Sequence, residues 1–440
     1  MSWDSLFAYS QMRNGVTSSA YPPVMSYVWA VTDFFIPGQG GAFILQVMVT
    51  FLSLAAVLLY LKLGQSLSIA LILVFSASAI IAGPMLVIWK DVGMSAFLLA
   101  GVSVALVAVN GGRAWVLVVA GVLMAIGASY RLNSLPAVVP LAGILALGWS
   151  AIRGERIRWL VWSLRTAVLV VVIASGALLS VSYRLPDFRP LPLSFNSNWT
   201  AVYDLLGMSV CLEQNLVPSQ FFLKPPSQAD IKRVYRPEHI QLSFDMMQRQ
   251  DPSLLQLSGL ARTHEAMPKL WKQAVLEHPL CYLRHRAQLL KYMLGANSGG
   301  VFYLTHNGVD ENEFGLSMQA TPLTHRVLSY IAASGAPGWG LHHLLARTWF
   351  FLLIATVGLG YLIVTRNRLL VLAGLIYASG GLYLAGNVFV LPAADARYQH
   401  WAVICFFLVA ACALAGVRSH RFAGETGAGG DRVSVRHPGE

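Results

Sequence analysis

Charged residues are scarce in this chain. Asp, Glu, Lys and Arg make up 12% of its 440 residues, whereas 56% are hydrophobic. A typical soluble domain has about 25% charged residues, so this chain lacks the charge to cover a water-facing surface. Its apolar stretches are long enough to cross a bilayer, and they are continuous rather than alternating as in a membrane barrel. The sequence therefore predicts an all-α polytopic membrane protein.

The motifs of common soluble enzymes are also missing. We find no P-loop, no dinucleotide-binding glycine fingerprint, no Gly-x-Ser-x-Gly elbow and no Cys/His spacing typical of zinc. There is no internal repeat and no recognisable signal peptide. The acidic run at residues 310–313 is expected to be a solvated loop. The net charge of +11 fits Lys and Arg in cytoplasmic loops, and nucleic acid is not an expected partner.

Cysteine is rare as well, with four residues. Cys405 and Cys412 lie in an apolar run, where packing is the usual role. Cys211 and Cys281 lie in the one long polar region. In an oxidising compartment these two can form a disulfide, and the alternative is two unrelated thiols. The sequence leaves both readings open.

Nine apolar runs divide the chain. They are residues 41–61, 67–88, 93–109, 114–129, 135–151, 159–182, 346–364, 369–391 and 399–416. This spacing predicts a first outer loop with a juxtamembrane helix (1–40), a bundle of about six spans (41–182), a soluble domain (183–344), three further spans (345–416) and a disordered cytoplasmic tail (417–440). Residues 93–109 are short enough for a half-helix or a tilted span.

The arginine clusters give the orientation. If residues 1–40 lie outside, the clusters at 153–158, at 366–368 and after 417 all fall on the cytoplasmic side, as the positive-inside rule requires. The domain 183–344 is then non-cytoplasmic and mostly helical, with helices at 267–277 and 279–294. In the second helix we expect one apolar face toward the core and the basic residues elsewhere; the apolar residues are Leu283, Leu290 and Met293, and the basic ones Arg284, Arg286 and Lys291.

This topology delivers ionisable groups from separate loops to one membrane boundary, where such groups tend to be functional. Asp4 suits a general base for an acceptor hydroxyl. Three cations suit a phosphate: Lys90, Arg131 and Arg397. Asp91 can position Lys90, or bind a metal or a sugar. Plain structural roles stay open too: Lys90 and Arg131 as interfacial anchors, Asp91 as a helix cap and Arg397 paired with Asp395.

Several segments resemble one family. The run "WDSLFAYSQMRNG…YPPVMSYVW…PGQGG" (3–41) resembles the first outer loop of the GT-C superfamily of polyprenyl-phosphate-sugar glycosyltransferases. That superfamily includes protein mannosyltransferases, the aminoarabinose transferase of lipid A and lipopolysaccharide glycosyltransferases. Further similar segments are "WKDVGMSAFLLAG" (89–101), "YRLNSLPAVVPLAG" (130–143), "WKQAVLEHPLCYLRHR" (271–286) and "DARYQHWAV" (395–403).

The resemblance implies a GT-C-like helix bundle and a role for each matching residue. Asp4 is then the catalytic base, Asp91 the second acidic position, and Arg397 and Tyr398 lie near the lipid phosphate. Donor binding extends to Lys90, Arg131 and Asn133, and Tyr21, Pro22 and Pro23 shape the first loop. The reaction is a single inverting displacement, with cations rather than a metal stabilising the leaving phosphate; a divalent metal stays open as a cofactor.

The implied partners are membrane lipid, a polyprenyl-phosphate-linked sugar donor, and a glycan, lipid or protein acceptor. The implied location is a bacterial inner membrane with the active site on the periplasmic or extracellular side. The family has a membrane helix before its catalytic acid, whereas here only Met1, Ser2 and Trp3 precede Asp4, and Ser5 replaces a common second acid. We therefore expect either an upstream start or an inactive truncated relative.

Two further functions are alternatives. One is a polymerase or ligase of surface polysaccharide with a related layout. The other is a transporter or flippase of a lipid-linked glycan, which should show repeated halves and ionisable residues at mid-helix. This chain has no repeat, and its charges lie at one boundary, which disfavours transport.

Overall fold

The computed structural model describes residues 1–15, 22–156, 158–182, 194–219, 222, 226–240, 242 and 266–428. These residues are mostly helical and contain no β-strand. In chain order the helices are α1 (Trp3–Asn14), α2 (Pro23–Phe35), α3 (Gly40–Tyr60), α4 (Gln65–Ala77), α5 (Ala79–Met85), α6 (Lys90–Gly111), α7 (Ala114–Tyr130), α8 (Leu135–Ile152), α9 (Trp159–Ser182), α10 (Ser194–Leu212), α11 (Gln228–Val234), α12 (Met267–Glu277), α13 (Pro279–Met293), α14 (Pro322–Gly335), α15 (Leu341–Leu344), α16 (Thr348–Val364), α17 (Leu370–Val390) and α18 (His400–Ala428). Two 3₁₀ turns, Leu132–Ser134 and Ala396–Gln399, precede α8 and α18.

Six of the described segments are long and apolar enough to cross a membrane. They correspond to α3, α6, α8 with its preceding turn, α9, α17 and α18 with its preceding turn. Helices α4 and α5 form a further apolar pair that bends by 67°, and α7 and α16 are shorter apolar helices. The predicted class is confirmed: this is an all-α polytopic integral membrane protein.

Two helices form the centre of the bundle. Of their most apolar stretches, 78% is buried in α6 and 83% in α18, against 11% in α9. Helix α6 packs on α3 and α7, and α18 packs on α16 and α17. Close approach of α6 and α7 needs a glycine, because a Cβ at Gly101 would lie 2.5 Å from Met124 Cγ. Small residues at such contacts are typical of membrane helices.

Three sequence predictions need correction. The described residues before α3 form two helices, α1 and α2, where the sequence predicted a loop with one juxtamembrane helix. Residues 93–109 are not a half-helix, because α6 begins at Lys90 and runs for 22 residues; the alternative of a tilted span stays a prediction. The tail predicted to be disordered from residue 417 begins as helix, since α18 continues to Ala428; residues 429–440 lie outside the described residues.

The segment between α9 and α16 is called the interspan domain here. Its predicted helices at 267–277 and 279–294 are confirmed as α12 and α13. Cys211 on α10 and Cys281 on α13 form a disulfide. The expected faces of α13 are wrong in part, because Leu283 is 51% exposed and the Arg286 side chain is only 1% exposed. The buried ion pair between Arg286 and Asp204, and not the apolar pattern, determines which face of α13 packs against the protein.

Arg286 connects the interspan domain to the membrane bundle. Its Nη2 donates to Asp204 Oδ2 at 2.7 Å, and its Nη1 donates to the carbonyl oxygens of Val388 and Leu391 at 2.9 and 2.7 Å. These carbonyls lie at the end of α17, where a helix leaves carbonyls without intrahelical partners. The interspan domain therefore caps α17.

A short backbone pairing extends the same contact. Ile240 N donates to Pro392 O at 3.0 Å, and Ala394 N donates to Glu238 O at 2.8 Å, around an isolated antiparallel bridge. Both contacts lie just before the turn Ala396–Gln399. The interspan domain thus fixes the stretch of chain that leads into Arg397.

Candidate functional site

Polar residues from five segments meet at one end of the helix bundle. They come from α1, the start of α6, the connection between α7 and α8, the end of α17 and the turn before α18. We call this group the polar cluster; its members are Asp4, Lys90, Asp91, Arg131, Asn133, Asn387, Asp395, Arg397 and Tyr398. All predicted donor-site residues and the predicted base therefore lie in one region.

One half of the cluster is built around Arg131. Its Nη1 donates to Asp91 Oδ1 at 2.5 Å, and its Nε donates to Asn133 Oδ1 at 2.8 Å. Asn133 Nδ2 donates to Asn387 Oδ1 at 2.6 Å, and Asn387 Nδ2 donates to the Tyr398 carbonyl at 2.7 Å. This chain of hydrogen bonds joins α6, α7, α17 and the turn before α18.

Asp91 is fully buried, with a side-chain exposure of 0%. Its Oδ1 takes the Arg131 bond, whereas its Oδ2 has no hydrogen-bond partner among the described residues. A buried carboxylate oxygen without a partner is costly and calls for a water or a ligand group. The hydrogen-bonded partner of Asp91 is Arg131, whereas the positioning of Lys90 was one of several roles that the sequence left open for Asp91.

The other half is built around Arg397. Its Nη1 donates to Asp4 Oδ2, its Nε to Asp395 Oδ2 at 3.1 Å, and its Nη2 to the Tyr398 hydroxyl at 3.0 Å. The guanidinium also stacks on the Trp89 and Tyr398 rings, 4.9 Å from each centroid. The Asp4 side chain is 24% exposed, so it can be reached from solvent.

Charges in the polar cluster are balanced. Lys90 lies within electrostatic reach of Asp4, Asp91, Arg131 and Arg397. The three cations Lys90, Arg131 and Arg397 thus face the three carboxylates Asp4, Asp91 and Asp395. An anion that binds here is attracted by the ammonium and guanidinium groups nearest to it, because the interaction of two charges falls with the distance between them.

A narrow apolar slot of about 20 Å³, which has room for about one water molecule, adjoins the cluster. Side chains of α2, α3, α6 and α7 line it, including Trp29, Leu45 and Phe97. Its lining also includes Trp89 and Tyr130, the residues immediately before Lys90 and Arg131. The slot therefore connects the hydrophobic interior of the bundle with the charged end.

Two of the three predicted loop-shaping residues lie at the start of α2. Pro22 and Pro23 open α2, with Pro23 at the first helical position, where a missing N–H costs nothing. Tyr21 lies outside the described residues. Within the described part of the chain, no group of three or more His, Cys, Asp or Glu side chains is placed to hold a metal ion.

No family model, curated protein or solved structure matches this chain. The resemblance to GT-C glycosyltransferases therefore stays a prediction. The functional proposal depends on the geometry of the polar cluster and of the residues around it.

The interspan domain adds residues that the sequence did not single out. The Tyr303 hydroxyl and His306 Nδ1 share a 2.6 Å hydrogen bond, and His306 Nε2 lies 3.1 Å from Asp310 Oδ1. Tyr303 also packs near Trp89, with ring centroids 6.1 Å apart. The run 310–313, expected to be a solvated loop, thus contributes Asp310 to a side-chain network beside the cluster.

Burial changes the proton affinity of this network. It raises the pKa of Tyr303 to about 12, and it lowers the pKa of His306 despite the nearby Asp310 carboxylate. Burial therefore favours the neutral form of the His306 imidazole. Tyr303 also has φ of 48°, a backbone region that costs energy for a residue with a side chain and often marks functional sites. That backbone angle leaves no signal in the sequence.

Proposed function

We propose that this protein is a membrane glycosyltransferase of the GT-C type, which moves a sugar from a polyprenyl-phosphate donor to a hydroxyl acceptor at the non-cytoplasmic face. One observation carries the proposal. A partly exposed carboxylate, Asp4, is hydrogen-bonded to a buried arginine, Arg397, at the point where an apolar slot meets a group of fixed cations. A base, a phosphate site and a place for a lipid tail are the three parts that such a reaction needs.

In the proposed arrangement the donor contacts the lipid-tail site, the phosphate site and the base at the same time. Its isoprenoid tail lies in the slot between α2, α3, α6 and α7, and its phosphate lies at Lys90 and Arg397. The narrow slot has to widen by a shift of α2 to admit the tail. The sugar then lies on the solvent side of the cluster, within reach of Asp4. Asp91 is too deeply buried to meet an acceptor, and its role is to hold Arg131.

The chemical step is an in-line displacement. The acceptor O–H bond breaks and its proton passes to an Asp4 carboxylate oxygen. The acceptor oxygen forms a bond to the anomeric carbon as the bond from that carbon to the phosphate oxygen breaks. The electron pair of that bond stays on the polyprenyl phosphate, and the configuration at the anomeric carbon inverts.

The pairing of Asp4 with Arg397 couples the two ends of this step. Before reaction the cluster is neutral, with three cations and three carboxylates. When Asp4 accepts the proton it becomes neutral, and Arg397 then has one opposing carboxylate fewer, Asp395 remaining. The cluster gains one net positive charge as the leaving phosphate gains negative charge. Only an interaction that is stronger in the transition state than in the ground state lowers the barrier, and the attraction between Arg397 and the leaving phosphate is of this kind.

The test uses the full chain in lipid nanodiscs with a radiolabelled polyprenyl-phosphate hexose or pentose. Release of free polyprenyl phosphate is measured, with water or a membrane extract as acceptor. We expect Asp4→Asn to lower the rate by about 10²–10⁴-fold, the range for a lost general base, with donor binding retained. We expect Arg397→Ala to weaken donor binding as well.

Glu311→Gln is the matched control, because it removes one exposed acid of the interspan domain outside the polar cluster. It should leave the rate unchanged. An unchanged rate in Asp4→Asn would show that Asp4 is not the catalytic base, while the transferase proposal would stand. If no donor of the panel binds to or is consumed by the wild-type protein, the transferase proposal itself is wrong.

A further inference from the structure

A second polar site lies at the opposite end of the bundle, in the connection between α8 and α9. Helix α8 starts beside Arg131 and ends at Ile152, so this connection is a full span away from the polar cluster. The connection carries three arginines against one glutamate, Glu155, and a fourth arginine lies near the start of α9. The arginines are Arg153, Arg156, Arg158 and Arg165.

Three of these arginines, Arg156, Arg158 and Arg165, line a pocket rather than a plain surface. The pocket has a volume of about 400 Å³ and is lined by Ser150, Glu155, Arg156, Arg158 and Arg165, together with Val161 and Trp162 of α9. Arg165 Nη1 donates to Ser150 Oγ at 3.1 Å and to Glu155 Oε2 at 2.6 Å, which fixes its guanidinium at the pocket wall. Arg156 and Arg158 are exposed.

An apolar groove continues from this pocket along α9. It has a volume of about 860 Å³, lies between α7, α8 and α9, and shares Val161 and Arg165 with the pocket. It extends about four helical turns along α9 toward Gly176. Because α9 is the least buried of the long apolar helices, with 11% of its most apolar stretch buried, the groove opens toward the lipid.

Tryptophans mark the level at which the pocket meets the groove. Trp149 lines the groove and Trp162 lines the pocket, and Arg153 stacks on the Trp149 ring at 5.2 Å. Tryptophan rings concentrate at the headgroup level of a bilayer. The pocket therefore lies at headgroup depth and the groove at acyl-chain depth.

We propose that this pocket and groove bind a phospholipid with an anionic headgroup. The phosphate lies among Arg156, Arg158 and Arg165, and an acyl chain follows the groove along α9. Charge complementarity selects the headgroup, because the connection and the start of α9 together have three more positive than negative charges. Basic pockets between membrane helices recognise anionic lipid headgroups in this way. The proposal does not depend on the transferase function.

The test is lipid retention by the purified full chain, measured by native mass spectrometry with phosphatidylglycerol or phosphatidylcholine as the probe. We expect preferential retention of phosphatidylglycerol. The double variant Arg156→Gln/Arg158→Gln should bind it about 30-fold more weakly, since each basic residue near an anionic lipid contributes a factor of about 5 and the two factors multiply. Val172→Trp, which fills the groove at an exposed position, should also weaken binding while keeping every arginine.

Arg366→Gln/Arg368→Gln is the matched control. These two exposed arginines lie at the same end of the bundle, between α16 and α17, and line neither the pocket nor the groove. Equal retention of both lipids, or the same loss in this control, overturns the proposal. So does displacement of phosphatidylglycerol by soluble glycerol phosphate at equal concentration, which would identify a simple phosphate site.

Discussion

Two aspartate–arginine pairs in this protein use the same chemistry for different ends. In the interspan domain, Asp204 and Arg286 are 0% and 1% exposed. Asp204 also accepts a 2.7 Å bond from Trp271 Nε1, and His285 Nε2 lies 3.0 Å from it. In the polar cluster, Asp4 is 24% exposed and faces Arg397. Every neighbour of Asp204 is protein, whereas Asp4 keeps a side open to solvent.

The difference teaches which of two similar pairs can act on a ligand. A fully enclosed pair cannot exchange its partner for a substrate, so its effect is on stability and on the position of neighbouring elements. A pair with one open side can give up or gain a proton while the rest of its network persists. Variants of the two pairs should therefore separate stability from activity.

The largest expected effect is on the stability of the enclosed pair. Arg286→Met leaves Asp204 buried without its cation and leaves the Val388 and Leu391 carbonyls without donors, and such a change costs about 3–5 kcal/mol. The measurement is unfolding of the purified protein in detergent. Arg284→Met is the control, since Arg284 is exposed on the same helix and should change stability by about 0.5 kcal/mol or less. Equal effects would contradict the structural role of Arg286.

The disulfide should have the next largest effect. Cys211 and Cys281 are 70 residues apart, and removing a crosslink of that span costs about 2–4 kcal/mol. It joins α10 and α13, the helices that also carry Asp204 and Arg286. The loss of unfolding free energy in Cys211→Ser/Cys281→Ser combined with Arg286→Met should therefore be smaller than the sum of the two separate losses. On a gel, reduction should change the mobility of the wild type and leave the variant unchanged.

A variant of the Asp4–Arg397 pair should affect activity strongly and stability weakly, the reverse of the Arg286 variant. Asp4→Asn should cost clearly less than Arg286→Met, because the Asp4 side chain is 24% exposed and Arg397 keeps its bond to Asp395. Transfer should nevertheless fall by orders of magnitude. Unfolding curves and rates measured on the same preparation check this separation. A stability loss as large as that of Arg286→Met would show that the two pairs are alike.

The smallest effect concerns pH. Burial lowers the pKa of His285, although the Asp204 carboxylate opposes this. The unfolded chain then binds more protons than the folded protein below the usual histidine value of 6.5, so stability should decrease as the pH falls through that value. His285→Gln removes this part of the pH dependence. An unchanged slope in the variant would assign it to other groups.

Much of this structure follows from the sequence. Continuous apolar runs predict the membrane helices because the bilayer excludes unsatisfied backbone groups, and Pro279 predicts the start of α13 because proline fits a first turn. The charges at loop ends predict one polar boundary. Asp4, Asp91, Arg131 and Arg397 do lie there together.

What the sequence could not predict depends on pairing across long separations. Arg286 looks like a surface residue of an amphipathic helix, and only the fold shows Asp204 beside it. Asp91 stands next to Lys90 in sequence, yet its partner is Arg131, 40 residues away. Tyr303 and His306 lie in a segment without periodicity, so their position beside Trp89 follows from tertiary contacts alone.

The backbone pairing of residues 238–240 with 392–394 bears on how proteins of this architecture can be recombined. The interspan domain and the last membrane helices are separate in sequence, which invites chimeras that exchange one and keep the other. Such a chimera would lose both the pairing and the Arg286 bonds that hold the chain ahead of Arg397. A chimera should therefore take residues 388–395 from the same parent as the interspan domain that hydrogen-bonds to them.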